Sequence, residues 1–242
     1  MHAAAVPSLL LGLVLAFASA ATNQQKIGVT VYYESLCPDS MDFIKNQLYP
    51  TYMTDLGAYM NLTLVPFGKA KYHREDSNGK NELVFECRHG SVECDGDKAQ
   101  ACVIHEVKDE NAVMKFIQCA MSSASKSTPY PTDKCLKEAN ITSNAEDLKN
   151  CSMSDRGSDY LAEFGAMTTK LSPELTSVPT VYINDKLNAS EQASLLSDFK
   201  STFCNYIQGA KPEECSKKNS AASLVSSLLP IFTVLILTRI SY

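Results

Sequence analysis

No surplus of positive charge is present. Against 22 Lys and Arg stand 27 Asp and Glu in 242 residues, a net charge of −5. A nucleic-acid partner is therefore not expected, because binding a polyanion begins with a basic surface. Long apolar runs are also missing. The two terminal runs, Leu9–Phe17 and Leu224–Leu237, both fall short of the ~20 residues that a comfortable membrane span needs. No internal repeat is evident. One further absence decides the chemistry: a strand-like run ends at Cys37, and the position three residues on, where a second cysteine would make a Cys-x-x-Cys pair, is Ser40.

The terminal runs suit processing segments. Leu9–Phe17 followed by Ala18-Ser19-Ala20 has the short apolar core and small-x-small site of a secretory signal peptide, assigned to residues 1–20, although Lys and Arg are missing ahead of it. Residues 216–242 form a hydrophobic tail. Asn219-Ser220-Ala221-Ala222 are small residues of the kind that accept a GPI anchor. A removed propeptide or a short membrane anchor are the alternatives, and membrane contact is expected only through this tail. Residues 21–215 are enough for one good core. Asn-x-Ser/Thr sequons at Asn61, Asn140, Asn150 and Asn188 suit a glycosylated chain of the secretory route, lysosomal or extracellular and, if the tail is a GPI signal, anchored at the cell surface.

There are nine cysteines. In an oxidising compartment most should pair, and an odd number leaves at least one free or bonded to another molecule. Cys37 is the expected odd one, standing apart from the cysteine-dense stretch, and its sulfur is expected to be exposed at the mouth of a helix. Cys87, Cys94, Cys102, Cys119, Cys135, Cys151, Cys204 and Cys215 are then available for four bridges, and spacing does not choose among their connectivities. Zinc is a weaker reading of Cys87, Cys94 and Cys102 with His89, because the paired Cys-x(2–4)-Cys spacing is missing. No metal is expected.

Ile27–Tyr33 alternates as a strand with both faces covered. A helix from about Asp39 carries Met41, Ile44 and Leu48 at helical spacing, and Pro50 should kink or end it. Asn61–Phe67 is a second strand, parallel to the first, giving β–α–β. From about 70 to 172, polar loops alternate with helical stretches such as Lys98–Val107 and Ala112–Met121, a mainly helical insertion stapled by disulfides. Val178-Pro179-Thr180 opens a later strand, since proline cannot donate to a central ladder. A short strand near Lys186–Asn188 should complete a hairpin. A final helix, about Ser190 to Ile207, should bury Leu195, Leu196, Phe199, Phe203 and Ile207.

A strand that ends in cysteine and opens a helix resembles the active segment of thioredoxin-like proteins. Unpaired N–H groups and partial positive charge at a helix start favour the thiolate, the nucleophile of disulfide exchange. In such proteins the proline before the last hairpin is cis and lies beside the reactive sulfur. Cys87-Arg-His-Gly-Ser-Val-Glu-Cys94-Asp-Gly-Asp-Lys-Ala-Gln-Ala-Cys102 closely resembles the C-Q-H-G-x-x-E-C-x-x-N-x-x-x-x-C signature of gamma-interferon-inducible lysosomal thiol reductases (GILT). His89, Gly90, Glu93 and the three cysteines match in register. Arg88 replaces Gln, and Asp97 replaces Asn.

The resemblance implies an α/β (α+β) thioredoxin-like fold and reduction of protein disulfides in acidic compartments. Cys37 and Ser40 are the candidate catalytic residues, and Pro38, Val178 and Pro179 the candidate substrate-holding ones. Without a second thiol, Cys37 needs an external small thiol for release and no bound cofactor. Ser40 is expected to hydrogen-bond the Cys37 sulfur, and the Asp39 charge to oppose ionisation. His89 suits packing or hydrogen bonding better than base catalysis. The rival reading is a former reductase that keeps the peptide-holding surface and does not turn over.

Overall fold

Strand β1 (Ile27–Tyr33) is the centre of a three-stranded sheet. The computed structural model describes residues 26–77, 79–127 and 130–217. On one side of β1 lies β2 (Met60–Pro66), parallel, with Ile27 opposite Met60 and Tyr33 opposite Pro66. On the other side lies β5 (Thr180–Ile183), antiparallel, with Val29 opposite Ile183. Val29, Val31 and Tyr33 are fully buried, as their alternation predicts.

The β1–β2 crossover is helical from Pro38 to Tyr52. It consists of α1 (Pro38–Phe43), a π turn (Ile44–Leu48) and α2 (Tyr49–Tyr52). Pro50 does not end it. The Tyr49 N–H reaches back to the Ile44 carbonyl, five residues away, just ahead of the proline. This local widening sits where a regular turn would meet the missing N–H and the ring of Pro50.

The segment expected to be mainly helical opens instead with an antiparallel hairpin, β3 (Lys71–Ser77) and β4 (Lys80–Glu86), in a sheet of its own. Five helices follow: α3 (Ser91–Glu106), α4 (Glu110–Ser123), α5 (Thr132–Glu138), α6 (Ala145–Ser152) and α7 (Asp155–Thr169). Asp109 caps α4 by accepting the Asn111 and Ala112 N–H groups. Phe116, Ile117 and Ala120 of α4 are fully buried.

All eight expected cysteines pair: Cys87–Cys94, Cys102–Cys151, Cys119–Cys135 and Cys204–Cys215. The second bond ties α3 to α6, and the third ties α4 to α5.

Pro179 immediately precedes β5, as expected. The expected strand near Lys186–Asn188 is reduced to a single bridge between Ile183 and Lys186. Asn184 and Asp185 between them take the left-handed conformation (φ 49° and 60°), so the chain turns at once. The last helix is also divided, into α8 (Gln192–Ser197) and α9 (Phe199–Cys204), with Asp198 at φ −146°, ψ 63° between them. At this break the Phe199 N–H donates to Gln47 Oε1 on the π turn (3.2 Å). The rings of Phe43 and Phe199 meet edge to face, 5.7 Å apart, in the main core.

The signal-peptide assignment and most of the tail fall outside the described residues. No described helix is long and apolar enough to cross a membrane.

Candidate active site

Beyond β1 the chain turns through Glu34-Ser35-Leu36 and reaches Cys37, the N-cap of α1, with Pro38 in the first turn. The Cys37 N–H donates to the Glu34 carbonyl (3.3 Å), and the Cys37 carbonyl accepts from Met41 (2.9 Å). Cys37 thus sits where the orphan N–H groups of the helix begin. It is the one free cysteine among the described residues. Its Sγ lies 3.9 Å from the Val178 carbonyl oxygen, and the Val178–Pro179 peptide is cis. The structure therefore brings Cys37, Val178 and Pro179 together, as the sequence resemblance implies.

Two expectations change here. Cys37 was expected to be exposed, yet it is only 7% exposed. It lies in an apolar cluster with Tyr32, Leu175, Val178 and Tyr182. Pro38 and Asp39 at the helix start are exposed. Ser40 is fully buried, and its Oγ accepts the Glu34 N–H at 3.4 Å instead of bonding the Cys37 sulfur. It helps close the turn that carries Cys37.

The floor beneath this turn is α3. Glu93, Asp97 and Gln100, at i, i+4 and i+7, share one face of that helix, and all three are fully buried. Glu93 Oε2 accepts the Leu36 N–H (3.3 Å), and the Glu93 carbonyl accepts from Ser35 Oγ (3.0 Å). Asp97 Oδ1 accepts the Ser35 N–H (2.9 Å). Gln100 Oε1 accepts from the Tyr33 hydroxyl (2.5 Å), and its amide donates to the Tyr130 hydroxyl. Gly96 makes this approach feasible. A Cβ there would lie 2.3 Å from the Tyr130 ring and 2.6 Å from Ser35 Oγ.

Glu34 is the third buried carboxylate. Its Oε1 accepts the Lys69 N–H (2.9 Å) and lies 3.8 Å from the half-exposed Arg88 guanidinium. Its Oε2 is buried without a hydrogen-bond partner and lies 3.6 Å from His89 Nδ1. Burial, more than any neighbour, holds the Glu34 carboxyl above its ordinary range; Glu93 adds to this, while the Lys69 N–H, Arg88 and His89 act against it. Gly68, at φ 52°, is needed beside it, since a Cβ there would lie 2.3 Å from Glu34 Cγ.

His89 hydrogen-bonds Glu93. Its N–H donates to Glu93 Oε1 (2.9 Å), and its Nδ1 is 2.5 Å from Glu93 Oε2. Glu34, His89 and Glu93 offer ligand atoms within 4.8 Å of one another. However, 2.5 Å is hydrogen-bond spacing, whereas two ligands on a tetrahedral ion with ~2 Å bonds lie ~3 Å apart. The Cys87–Cys94 bond closes a ring around Arg88, His89 and Glu93.

Sequence reasoning missed Glu34, Ser35 and Asp97 as parts of this assembly. The available signal was the i, i+4, i+7 polar stripe of α3, which a surface helix would also show. The four sequon asparagines, Asn61, Asn140, Asn150 and Asn188, are all exposed.

The family model for gamma interferon inducible lysosomal thiol reductase (GILT) matches residues 28–139. The chain is 35% identical to GILT-like protein 1 of Drosophila melanogaster, over 96% of this chain and 98% of that protein. It is 36% identical to a gamma-interferon-inducible lysosomal thiol reductase-like protein of Anopheles gambiae, over 88% and 89% of the two chains. Among solved structures, oxidised BdbD from Bacillus subtilis superposes with a TM-score of 0.52 at 15% identity, covering 76% of this chain and 88% of that one. That likeness places the fold among thioredoxin-like proteins.

Proposed function

The chain belongs to the gamma interferon inducible lysosomal thiol reductase family, and from that membership and the setting of Cys37 we propose that it is a thiol–disulfide oxidoreductase that reduces protein disulfides through this single cysteine. The observation that carries the proposal is the free sulfur of Cys37 at a helix start, 3.9 Å from the Val178 carbonyl. The Cys37 thiolate attacks one sulfur of a substrate disulfide. The S–S bond breaks, a mixed disulfide forms on Cys37, and the leaving thiolate takes up a proton. Ser40 supplies no second sulfur. An external small thiol then attacks the Cys37 sulfur and frees the second substrate thiol. Another molecule of that thiol attacks the adduct left on Cys37. The free enzyme returns, and the two small thiols leave as their own disulfide. Pro38, Val178 and Pro179 hold the substrate strand, with the Val178 backbone available for strand-like pairing.

Names of relatives such as the mouse gamma-interferon-inducible lysosomal thiol reductase, 29% identical over 78% of this chain, support a lysosomal location, and four disulfides suit the secretory route. Exposed Asn61, Asn140, Asn150 and Asn188 suit glycosylation there.

A second reading rests on two observations: the small exposure of Cys37 and the missing sulfur at Ser40. Under it the protein binds disulfide-bearing partners without turnover. Insulin reduction with an added small thiol, at acidic and neutral pH, separates the two. Activity lost in Cys37→Ala and raised in Ser40→Cys supports the oxidoreductase. A silent wild type with activity gained in Ser40→Cys supports the binding protein.

A further inference from the structure

Asp97 stands where the family signature has asparagine, and it does more than accept the Ser35 N–H. It is fully buried, and its second oxygen, Oδ2, has no hydrogen-bond partner. The groups that face it are Glu93 on its own helix, Glu34 and Ser35 of the Cys37 turn, Tyr33 of β1, and Tyr130 ahead of α5. None of these is a cation. The basic side chains of the neighbourhood, His89 and Arg88, lie against Glu34 and, for His89, against Glu93. A buried carboxylate with one bare oxygen, faced by acids, phenols and Ser35 but by no cation, is better accommodated as the neutral acid. In that form it has the planar, uncharged head of an asparagine, with one acceptor and one donor.

We propose that Asp97 is a positioning residue that holds a proton in acid, and that the proton keeps the Glu34–Cys37 turn seated on α3. When the proton leaves, a negative charge appears beside Glu93 and Glu34, directly beneath the turn. The seat then loosens, and buried Cys37 becomes more accessible. This inference rests on the reading of Cys37 as the reactive thiol and adds a pH setting to its site. The direction of ionisation agrees. Burial pushes the Asp97 carboxyl well up, and Glu93 pushes it further; the Ser35 hydrogen bonds offset only part of this. Glu34 is raised as well. A carboxyl raised on folding contributes stability in acid, below its unfolded value, and that contribution is lost as pH rises through the folded value.

Thermal unfolding of the purified chain between ~pH 5 and ~pH 7.5 tests this. The wild-type midpoint should fall by ~3 °C or more across that range, and Asp97→Asn should remove at least about half of the fall. Cys37 alkylation by a small haloacetamide gives an independent readout. The wild-type rate should climb more steeply with pH than in Asp97→Asn, because only the wild type loosens. Equal slopes for both proteins in both measurements overturn the proposal. Infrared spectroscopy covers a variant that fails to fold. In Glu34→Gln, a buried carboxylic-acid C=O band persisting near ~pH 6 is expected, well above the ordinary aspartate value, and its absence overturns the proposal. Neither unfolding nor infrared readout requires turnover. A protein that reduces no disulfide yet shows the stated slopes would sink the proposed function and leave the role of Asp97 intact.

Discussion

The helical insertion and the turn that carries Cys37 are both buried, yet opposite chemistry holds them. Around α4, α5 and α6 the contacts are apolar, with Phe116, Ile117, Leu136 and Leu148 almost wholly covered, and disulfides lock the helices together. Under Glu34–Cys37 the contacts are carboxylates gripping backbone N–H groups. Apolar packing and S–S bonds are indifferent to protons. A floor that includes Glu34 and Asp97 is not, because burial holds both carboxyls above their ordinary range. The scaffold is thus built to be constant, and the reactive turn to respond to its surroundings.

The largest effect that would sharpen this contrast is chemical. Cys37→Ala should abolish disulfide reduction while leaving the thermal midpoint within ~2 °C of wild type, as measured by insulin turbidity and by calorimetry. Replacing both Cys119 and Cys135 by alanine should do the reverse. The loss of a bridge closing a loop of this size costs about 3 kcal/mol of stability in denaturant titration, with the Cys37 alkylation rate unchanged once folded. If that rate shifted markedly, the two regions would not be separable.

Gly96→Ala should fall between them. Its Cβ would collide with Tyr130 and Ser35, costing about 1–3 kcal/mol and slowing reduction together, because the clash sits between α3 and the turn. The smallest effect concerns exchange rates. The protection factors of the Ser35 and Leu36 amides should drop several-fold more than those of Ile117 and Ala120 between ~pH 5 and ~pH 7.5, by hydrogen–deuterium exchange corrected for intrinsic rates. Parallel changes in both sets would erase the comparison.

The sequence reading caught what depends on local pattern. Alternation at Ile27–Tyr33 placed the central strand, the odd cysteine count singled out Cys37, and proline chemistry put Pro179 at the mouth of β5. It failed where the local pattern is silent or where partners come from afar. The β3–β4 hairpin is composed largely of charged residues and lacks apolar alternation; only the Asn78-Gly79 dipeptide pointed to it. The division of the last helix at Asp198 depends on Gln47, 152 residues away. The burial of Asp97 was not legible, because nothing in its sequence neighbours reveals that Ser35 and Tyr130 close over it.

The burial of Ser40 has a kinetic consequence. A hydroxyl cannot displace a sulfur from a disulfide, and this one is walled off beneath its own turn. In the proposed single-cysteine cycle an adduct on Cys37 is therefore not cleared from within its own turn, and the dwell time of a captured partner would be set by thiols outside it: the substrate's own second thiol and the small thiols of the compartment.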